Sequence, residues 1–189
     1  MKKNSVIIGG SRGIGLSILK KLKLRKDNVI NISRSQTKYA NLNIKLDLSD
    51  LNNLEKIKKS FKNIRIDNLI FCQRYRGFDD MEEFKVMVHS TKIIIQILKN
   101  NFKKNASVVI LSSVAANLIS DQLINYHLCQ SARKMITQFY AVKFKKNFVR
   151  FNCIMPSKVL KKENLIFFKK NIRFKNKLKK INPLKNIST

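Results

Sequence analysis

The seven residues Gly9-Gly10-Ser11-Arg12-Gly13-Ile14-Gly15 are the first in the chain whose types and spacing could do chemistry. They follow a short apolar run, Asn4 to Gly9, and open a periodic segment with Ile14, Ile18, Leu19 and Leu22 on one face. Glycines between a strand and a helix let the backbone turn sharply, let the helix pack close to the sheet, and leave the helix N-terminus open to a pyrophosphate. A tight turn in any α/β protein would use them too, but a place at the first strand-to-helix turn favours the phosphate-binding role. The spacing GxxxGxG departs from the GxGxxG of the common dinucleotide fingerprint, and the absence of GKS or GKT excludes a nucleoside-triphosphate P-loop. Two cations complete the pattern. Arg12 lies inside the loop, and Arg34 follows the second apolar run in a Ser33-Arg34-Ser35 stretch that lacks the carboxylate expected to hold a ribose 2′-hydroxyl. Charge-assisted hydrogen bonds from Arg12 and Arg34 would suit a 2′-phosphate, so NADP is expected in preference to NAD.

These residues must be held by regular elements. Strands are expected at Asn4–Gly9, Asn28–Ser33, Ile44–Leu46, Asn68–Cys72, Ser107–Leu111 and Val149–Met155, and helices at Ile14–Leu24, Leu51–Phe61, Met81–Asn100 and Leu123–Asn147. Strand and helix alternate strictly, and several strands are apolar on both faces, as buried parallel strands covered by helices are. The expected fold is therefore α/β: a doubly wound, Rossmann-type three-layer sandwich with a mostly parallel sheet of about six strands. With 189 residues and no repeat or linker, the chain reads as one domain, 1–189, with a core at 1–156 and a basic tail at 157–189.

Forty Lys and Arg against eleven Asp and Glu give a formal charge of +29, while 44% hydrophobic residues supply a sizeable core and argue against disorder. Such charge is a footprint of nucleic-acid binding. Here, however, the basic residues run along the whole chain beside abundant Asn and Ile, the signature of an AT-rich coding sequence, with no recognition helix or aromatic platform. Nucleic acid is thus disfavoured as a partner. No apolar window approaches the ~20 residues of a membrane span and no signal-peptide core is present, so no membrane is expected. Cys72, Cys129 and Cys153 have no metal-ligand spacing and read as reduced, buried thiols in a cytoplasmic protein, with no metal site.

The ordered motifs resemble the short-chain dehydrogenase/reductase family, nearest in look to its 3-oxoacyl-[acyl-carrier-protein] reductases. Gly9 to Gly15 resembles the family's TGxxxGIG loop, with Ile8 where Thr is usual. Asp47-Leu48 resembles the pair after the third strand that meets the adenine. Leu111-Ser112-Ser113 resembles the ISS segment, which puts Ser113 on the catalytic serine, and Tyr126 lies thirteen residues later, as the catalytic tyrosine does. Val149 to Pro156 (VRFNCIMP) resembles the IRVNxIxPG segment of the sixth strand, whose proline borders the cofactor. The resemblance implies a small-molecule carbonyl substrate, hydride transfer from NADP(H), and a homodimer through the two long helices, with an exposed stripe drawn from Ile93, Ile97, Met135 and Phe139.

The departures bear on function. Where the family has YxxxK the chain reads Tyr126-His127-Leu128-Cys129-Gln130, so Gln130 stands in the catalytic lysine's place and brings no charge. His127 reads as a partly exposed surface histidine. Phe71-Cys72-Gln73-Arg74 replaces NNAG, and His89 falls where the family's helix asparagine is expected. Residues 157–189 hold ten Lys, one Arg and one acid, Glu163, and read as a remodelled lid region with the seventh strand missing. A tail helix is expected at Glu163–Lys170, and Ile181 to Asn186 resembles the IPLGR stretch after the lid. Two functions compete. One is an NADP(H)-dependent carbonyl reductase, weakened by Gln130; the other is a catalytically inactive homologue that binds dinucleotide or serves as a partner subunit.

Overall fold

Alternating apolar positions dictate the architecture. In β1 (Asn4–Ile8), Val6 and Ile8 point to one face and Ile7 to the other, and all three are fully buried. A strand apolar on both faces is stable only between two layers of helix. The computed structural model describes residues 2–160, 165–181 and 187, and its contacts divide the chain into two compact units, Met1–Met155 and Pro156–Thr189.

In the first unit, β1, β2 (Asn28–Ser33), β3 (Leu42–Lys45), β4 (Ile66–Phe71), β5 (Phe102–Leu111) and β6 (Arg150–Ile154) form one sheet in the order β3-β2-β1-β4-β5-β6, every pairing parallel. The expected doubly wound α/β fold is what the chain adopts. Helix α1 (Gly13–Leu24) covers one face, where Leu19 and Leu22 pack with Ile7, Val29 and Ile70. The other face is larger. There α2 (Glu55–Ser60), the long helical stretch from α3 (Asp80–Phe84) to α4 (Ser90–Ile97), and α5 (Ile124–Lys143) bury Ile57, Met87, Ile94 and Ile136 against Val6, Ile8, Ile30 and Ile32. Because all six strands run the same way, their carboxyl ends share one edge of the sheet. The strand order reverses between β1 and β4, and that crevice is where such sheets bind ligands.

Several boundaries differ from expectation for physical reasons. β5 starts at Phe102, five residues before the apolar run, because Lys103 to Asn105 pass through a bulge with Asn105 at φ +66°. The stretch expected as one helix from Met81 to Asn100 contains a π-helical turn, Lys85–His89, between α3 and α4. The helix expected to reach Asn147 ends at Lys143, followed by a 3₁₀ turn and then Phe148 in the left-handed region. The second unit holds α6 (Leu165–Lys170) and α7 (Ile172–Ile181), between which Phe168 stacks on Phe174 with Phe167 edge-on. α7 was not expected from the sequence. Glu163 and residues 182–186, which carry the start of the expected tail helix and most of the IPLGR-like stretch, lie outside the described residues.

Candidate active site

The glycine loop leaves the carboxyl end of β1 with Gly9 at φ +82° and Gly13 at φ +56°, conformations that side chains disfavour. A Cβ on Gly9 would meet the backbone of Gln73 at 2.8 Å, and one on Gly15 would meet the Gly9 carbonyl oxygen at 2.2 Å. The glycines are therefore needed for the loop's own packing against the segment that follows β4. One residue that sequence reasoning missed locks it. Asn31, 1% exposed in the middle of β2, accepts the Gly10 N–H through Oδ1 (3.1 Å) and donates through Nδ2 to Ser33 Oγ (3.0 Å) and Asn43 Oδ1 (3.0 Å). A polar residue inside an otherwise apolar strand, Asn31 in NVINIS, was the available signal.

Helix α1 begins behind this loop with Arg12 as an extended N-cap that makes no side-chain capping bond, and with no acid in its first turn. Its first N–H groups are thus free for an anion. Arg12 is exposed, Ser11 and Ile14 are half-buried, and Arg34 stands just past β2. Arg34 Nη1 lies 3.9 Å from Asp47 Oδ2, both side chains being largely exposed. Such a pair is worth little in water and leaves the arginine free to turn to a better anion. Asp47 also accepts from the Ser49 N–H and hydroxyl, and the neighbouring Leu48 is buried. Pro156 follows β6 and opens the second unit. The free N–H groups, the two exposed arginines and the empty first-turn charge fit a dinucleotide pyrophosphate.

Ser113 lies at the carboxyl end of β5 and caps a short 3₁₀ turn, Val114–Ala116, by accepting the Ala115 N–H at 3.3 Å. Tyr126 and Gln130 sit one turn apart on α5, which three side chains on the helix pin to the segment after Ser113. His127 Nδ1 donates to the Ala115 carbonyl (2.9 Å), Ser131 Oγ to the Ala116 carbonyl (3.1 Å), and Lys134 Nζ to Asn117 Oδ1 (2.8 Å). Because a carbonyl can only accept, Nδ1 of His127 carries the proton, and Nε2 accepts the Ser120 N–H at 3.4 Å. His127 is partly exposed, as expected, and its ring nitrogens tie the Ser113 loop to the tyrosine helix.

Beneath Tyr126 the site is polar and buried. Gln130 is 2% exposed; its carbonyl accepts the Ser112 hydroxyl (2.9 Å), while its Oε1 has no partner. One turn on, Arg133 is fully buried and donates to the carbonyls of Gln73 (2.9 Å) and Phe71 (3.2 Å). Burial pulls its guanidinium down to about 10, with the nearby thiols and Tyr126 acting against that, so it stays charged at neutral pH. Gln73 in turn donates to Thr91 Oγ1 (2.8 Å) and more weakly to the Val86 carbonyl. Thr91 is thus the buried polar group that the helical stretch presents to the end of β4, whereas His89 closes the π turn half-buried. Arg74 completes the segment, its guanidinium 4.8 Å from the centre of the Tyr126 ring and its Nη2 donating to Gln122 Oε1 (3.1 Å). Neither Arg74 nor Arg133 was singled out in the sequence.

All three cysteines are free; Cys129 is buried and the other two are half-buried. Burial pushes the Cys72 and Cys129 thiols up to about 12, which leaves no thiolate for nucleophilic chemistry near neutral pH. Among the described residues no helix is long and apolar enough to cross a membrane. A cavity of about 650 Å³ lined by Lys2, Lys3, Lys23, Arg25, Lys26 and Asp27 lies at the opposite end of the sheet, remote from every group described above.

A family model described as enoyl-(acyl carrier protein) reductase matches residues 73–189. Over 143 residues the chain is 29% identical to the 4-hydroxy-tetrahydrodipicolinate reductase of Buchnera aphidicola subsp. Cinara cedri (strain Cc), covering 75% of this chain. The chain spans 46% of the length of that curated relative. A short chain dehydrogenase family protein from Francisella tularensis superposes with a TM-score of 0.86 at 24% identity, over 100% of this chain and 86% of that one. The structure of ElxO with NADP bound superposes at 0.85 and 20% identity, over 100% and 87%. These solved structures share the fold, and the family match extends over most of the chain. With its sheet order, its glycine loop and its Ser113-to-Tyr126 segment, the chain belongs to the short-chain dehydrogenase/reductase family, a family of oxidoreductases.

Proposed function

We propose that the chain is an NADP(H)-dependent reductase of a small carbonyl compound, with Tyr126 as proton donor and Ser113 as the group that holds the carbonyl oxygen. The observation that carries this reading is the pinning of the Ser113 loop to the Tyr126 helix by His127, Ser131 and Lys134. Three separate bonds from one helix face fix two hydroxyl-bearing residues relative to each other, as acid catalysis on a bound oxygen requires. Bound NADPH would supply the hydride. The chain's own part is to hold the pyrophosphate at the α1 N-terminus, to keep Gln130 beside the nicotinamide ribose, and to deliver the Tyr126 proton to the oxygen. The orphaned Oε1 of Gln130 is an acceptor that a ribose hydroxyl would satisfy. A steady-state assay of NADPH oxidation with a short 3-oxoacyl thioester tests the reading; no turnover despite saturable NADPH binding would overturn it. That outcome belongs to the second reading, a non-catalytic homologue that binds dinucleotide or serves as a partner subunit, which the neutral, buried Gln130 favours.

The cofactor preference rests on Arg12 and Arg34. NADPH is expected to bind at least ~10-fold more tightly than NADH, about 1.4 kcal/mol, and Arg34→Ser is expected to erase most of that difference. Fluorescence titration of both nucleotides measures it, and equal affinities in the unaltered protein would remove the arginine argument. ElxO, whose structure holds NADP, lends the fold-level support.

A homodimer through α5 is part of the same proposal. Leu128, Met135, Phe139 and Val142 form a stripe on α5, each more than half exposed, whereas Ile93 and Ile97 pack partly into the protein's own core. Sedimentation is expected to give a dimer that Phe139→Glu converts to monomer; a clean monomer before substitution would refute the interface. A cytoplasmic location is proposed on the strength of the three free thiols.

A further inference from the structure

Two departures from the family pattern, the loss of the lysine at position 130 and the replacement of NNAG by Phe71-Cys72-Gln73-Arg74, meet at one side chain. Arg74, from the second departure, lies over the ring of Tyr126, the residue that the first departure leaves without its cation. We propose that Arg74 is a positioning residue that supplies the positive charge beside Tyr126, an inference that rests on the reading of Tyr126 as proton donor.

The placement is built. The backbone leading to Arg74 is held from one side by Arg133, which bonds the carbonyls of Phe71 and Gln73, and from the other by Gln73, which bonds Thr91. Gly9 abuts Gln73 so closely that a Cβ would collide with it. Arg74 itself is fixed at its far end by Gln122. A long, solvated side chain on a loose loop would have none of these restraints. A guanidinium over a phenol ring is attracted by the ring's electron-rich face, and more strongly when the hydroxyl carries negative charge. Arg74 therefore favours the deprotonated state that Tyr126 reaches on giving its proton to the carbonyl oxygen.

The other charged groups around Tyr126 do not take over this role. His127 meets the ring edge-on at 6.4 Å, with its ring nitrogens committed to Ala115 and Ser120. Arg133 interacts with Tyr126 electrostatically, but its hydrogen bonds are spent on the end of β4. Glu83, from α3, accepts from Asn125 beside Tyr126 and carries the opposite sign. Arg74 is a cation in direct ring contact, 4.8 Å from the ring centre.

Two measurements test this. The first is the rate of nitration of Tyr126 by tetranitromethane in the full chain without nucleotide, read by peptide mass spectrometry with Tyr39 and Tyr75 as internal references. The phenolate is the form that reacts, so Arg74→Met is expected to slow nitration of Tyr126 at least ~3-fold, and Arg74→Lys to leave it near the unaltered rate. The second is NADPH oxidation with acetoacetyl-N-acetylcysteamine. Arg74→Met should lower kcat about 10-fold, Arg74→Lys should retain at least a third, and NADPH affinity should stay within ~2-fold. Added guanidinium ion should partly restore Arg74→Met, because the site is exposed. Nitration unchanged by Arg74→Met, or Lys behaving like Met in both measurements, would overturn the proposal. If the unaltered protein oxidises no NADPH, the proposed activity fails, and the nitration result alone decides for or against Arg74.

Discussion

Tyr126→Phe is expected to abolish carbonyl reduction, lowering kcat by roughly 10³-fold, about 4 kcal/mol of barrier, within the range that removal of a general acid produces. The substitution deletes one oxygen and leaves the ring. The Arg74 contact survives in weakened form, the Leu123 carbonyl still accepts the backbone N–H of residue 126, and no other side chain bonds the hydroxyl among the described residues. The fold should be unaffected, and NADPH should bind within ~3-fold, since the helix N-terminus and the arginines that would hold its phosphates lie across the crevice. Rapid-mixing assays of reductant loss beside fluorescence titration of NADPH separate the two effects. Turnover that survives Tyr126→Phe would mean that another group donates the proton. Binding lost together with turnover would mean that the hydroxyl holds the nucleotide.

Much of this arrangement was legible in the chain. β2 has the expected bounds, Asn28 to Ser33, because the apolar residues Val29, Ile30 and Ile32 lie between the polar Asn28 and Ser33. The glycine loop was legible because a backbone turning at positive φ requires glycine at Gly9, and a close backbone approach requires it at Gly15. What escaped did so for identifiable reasons. At the start of β5, Lys103 to Asn105 are polar and run through a bulge at the end of the sheet, which separates Phe102 from the apolar run that begins at Ser107, so no continuous apolar pattern marks it. The π turn at Lys85–His89 inserts a residue into a helix without any breaker, so no pattern in the sequence marks it. Arg74 and Arg133 are two cations among forty, and composition gives no means of telling a solvated arginine from one buried under a sheet edge. Arg133 sits among apolar neighbours at the spacing of Cys129 and Ile136, on the inward face of α5; a charged residue in that register was the signal available.

That buried arginine decides what restoring the lysine would do. Gln130 and Arg133 are three residues apart on α5, hence neighbours with Cβ atoms about 5–6 Å apart, and both are essentially inaccessible to water. Placing an ammonium at residue 130 while the guanidinium remains sets two like charges about 6 Å apart in a medium of effective dielectric near 20, a repulsion of about 3 kcal/mol. Among the described residues no carboxylate forms an ion pair with Arg133, so nothing is in place to offset a second cation. Gln130→Lys alone is therefore expected to lower stability by about 3 kcal/mol in urea unfolding and to yield little activity. Arg133→Leu alone removes a desolvated charge but also takes the buried donor from two carbonyls, so the two effects oppose each other and global stability should change little. It frees the carbonyls of Phe71 and Gln73 and so should reduce turnover by loosening the segment that carries Arg74. The double variant, Gln130→Lys with Arg133→Leu, trades one buried cation for another a turn closer to Tyr126. It is expected to recover the stability lost by Gln130→Lys and to raise NADPH oxidation at least ~10-fold above the unaltered protein, about 1.4 kcal/mol of barrier. The decisive quantity is the coupling between the two sites, stabilising by about 3 kcal/mol and measurable as a double-mutant cycle. Additive effects would show that the two side chains do not share a buried field, and that the neutral residue at position 130 was not set by the arginine below it.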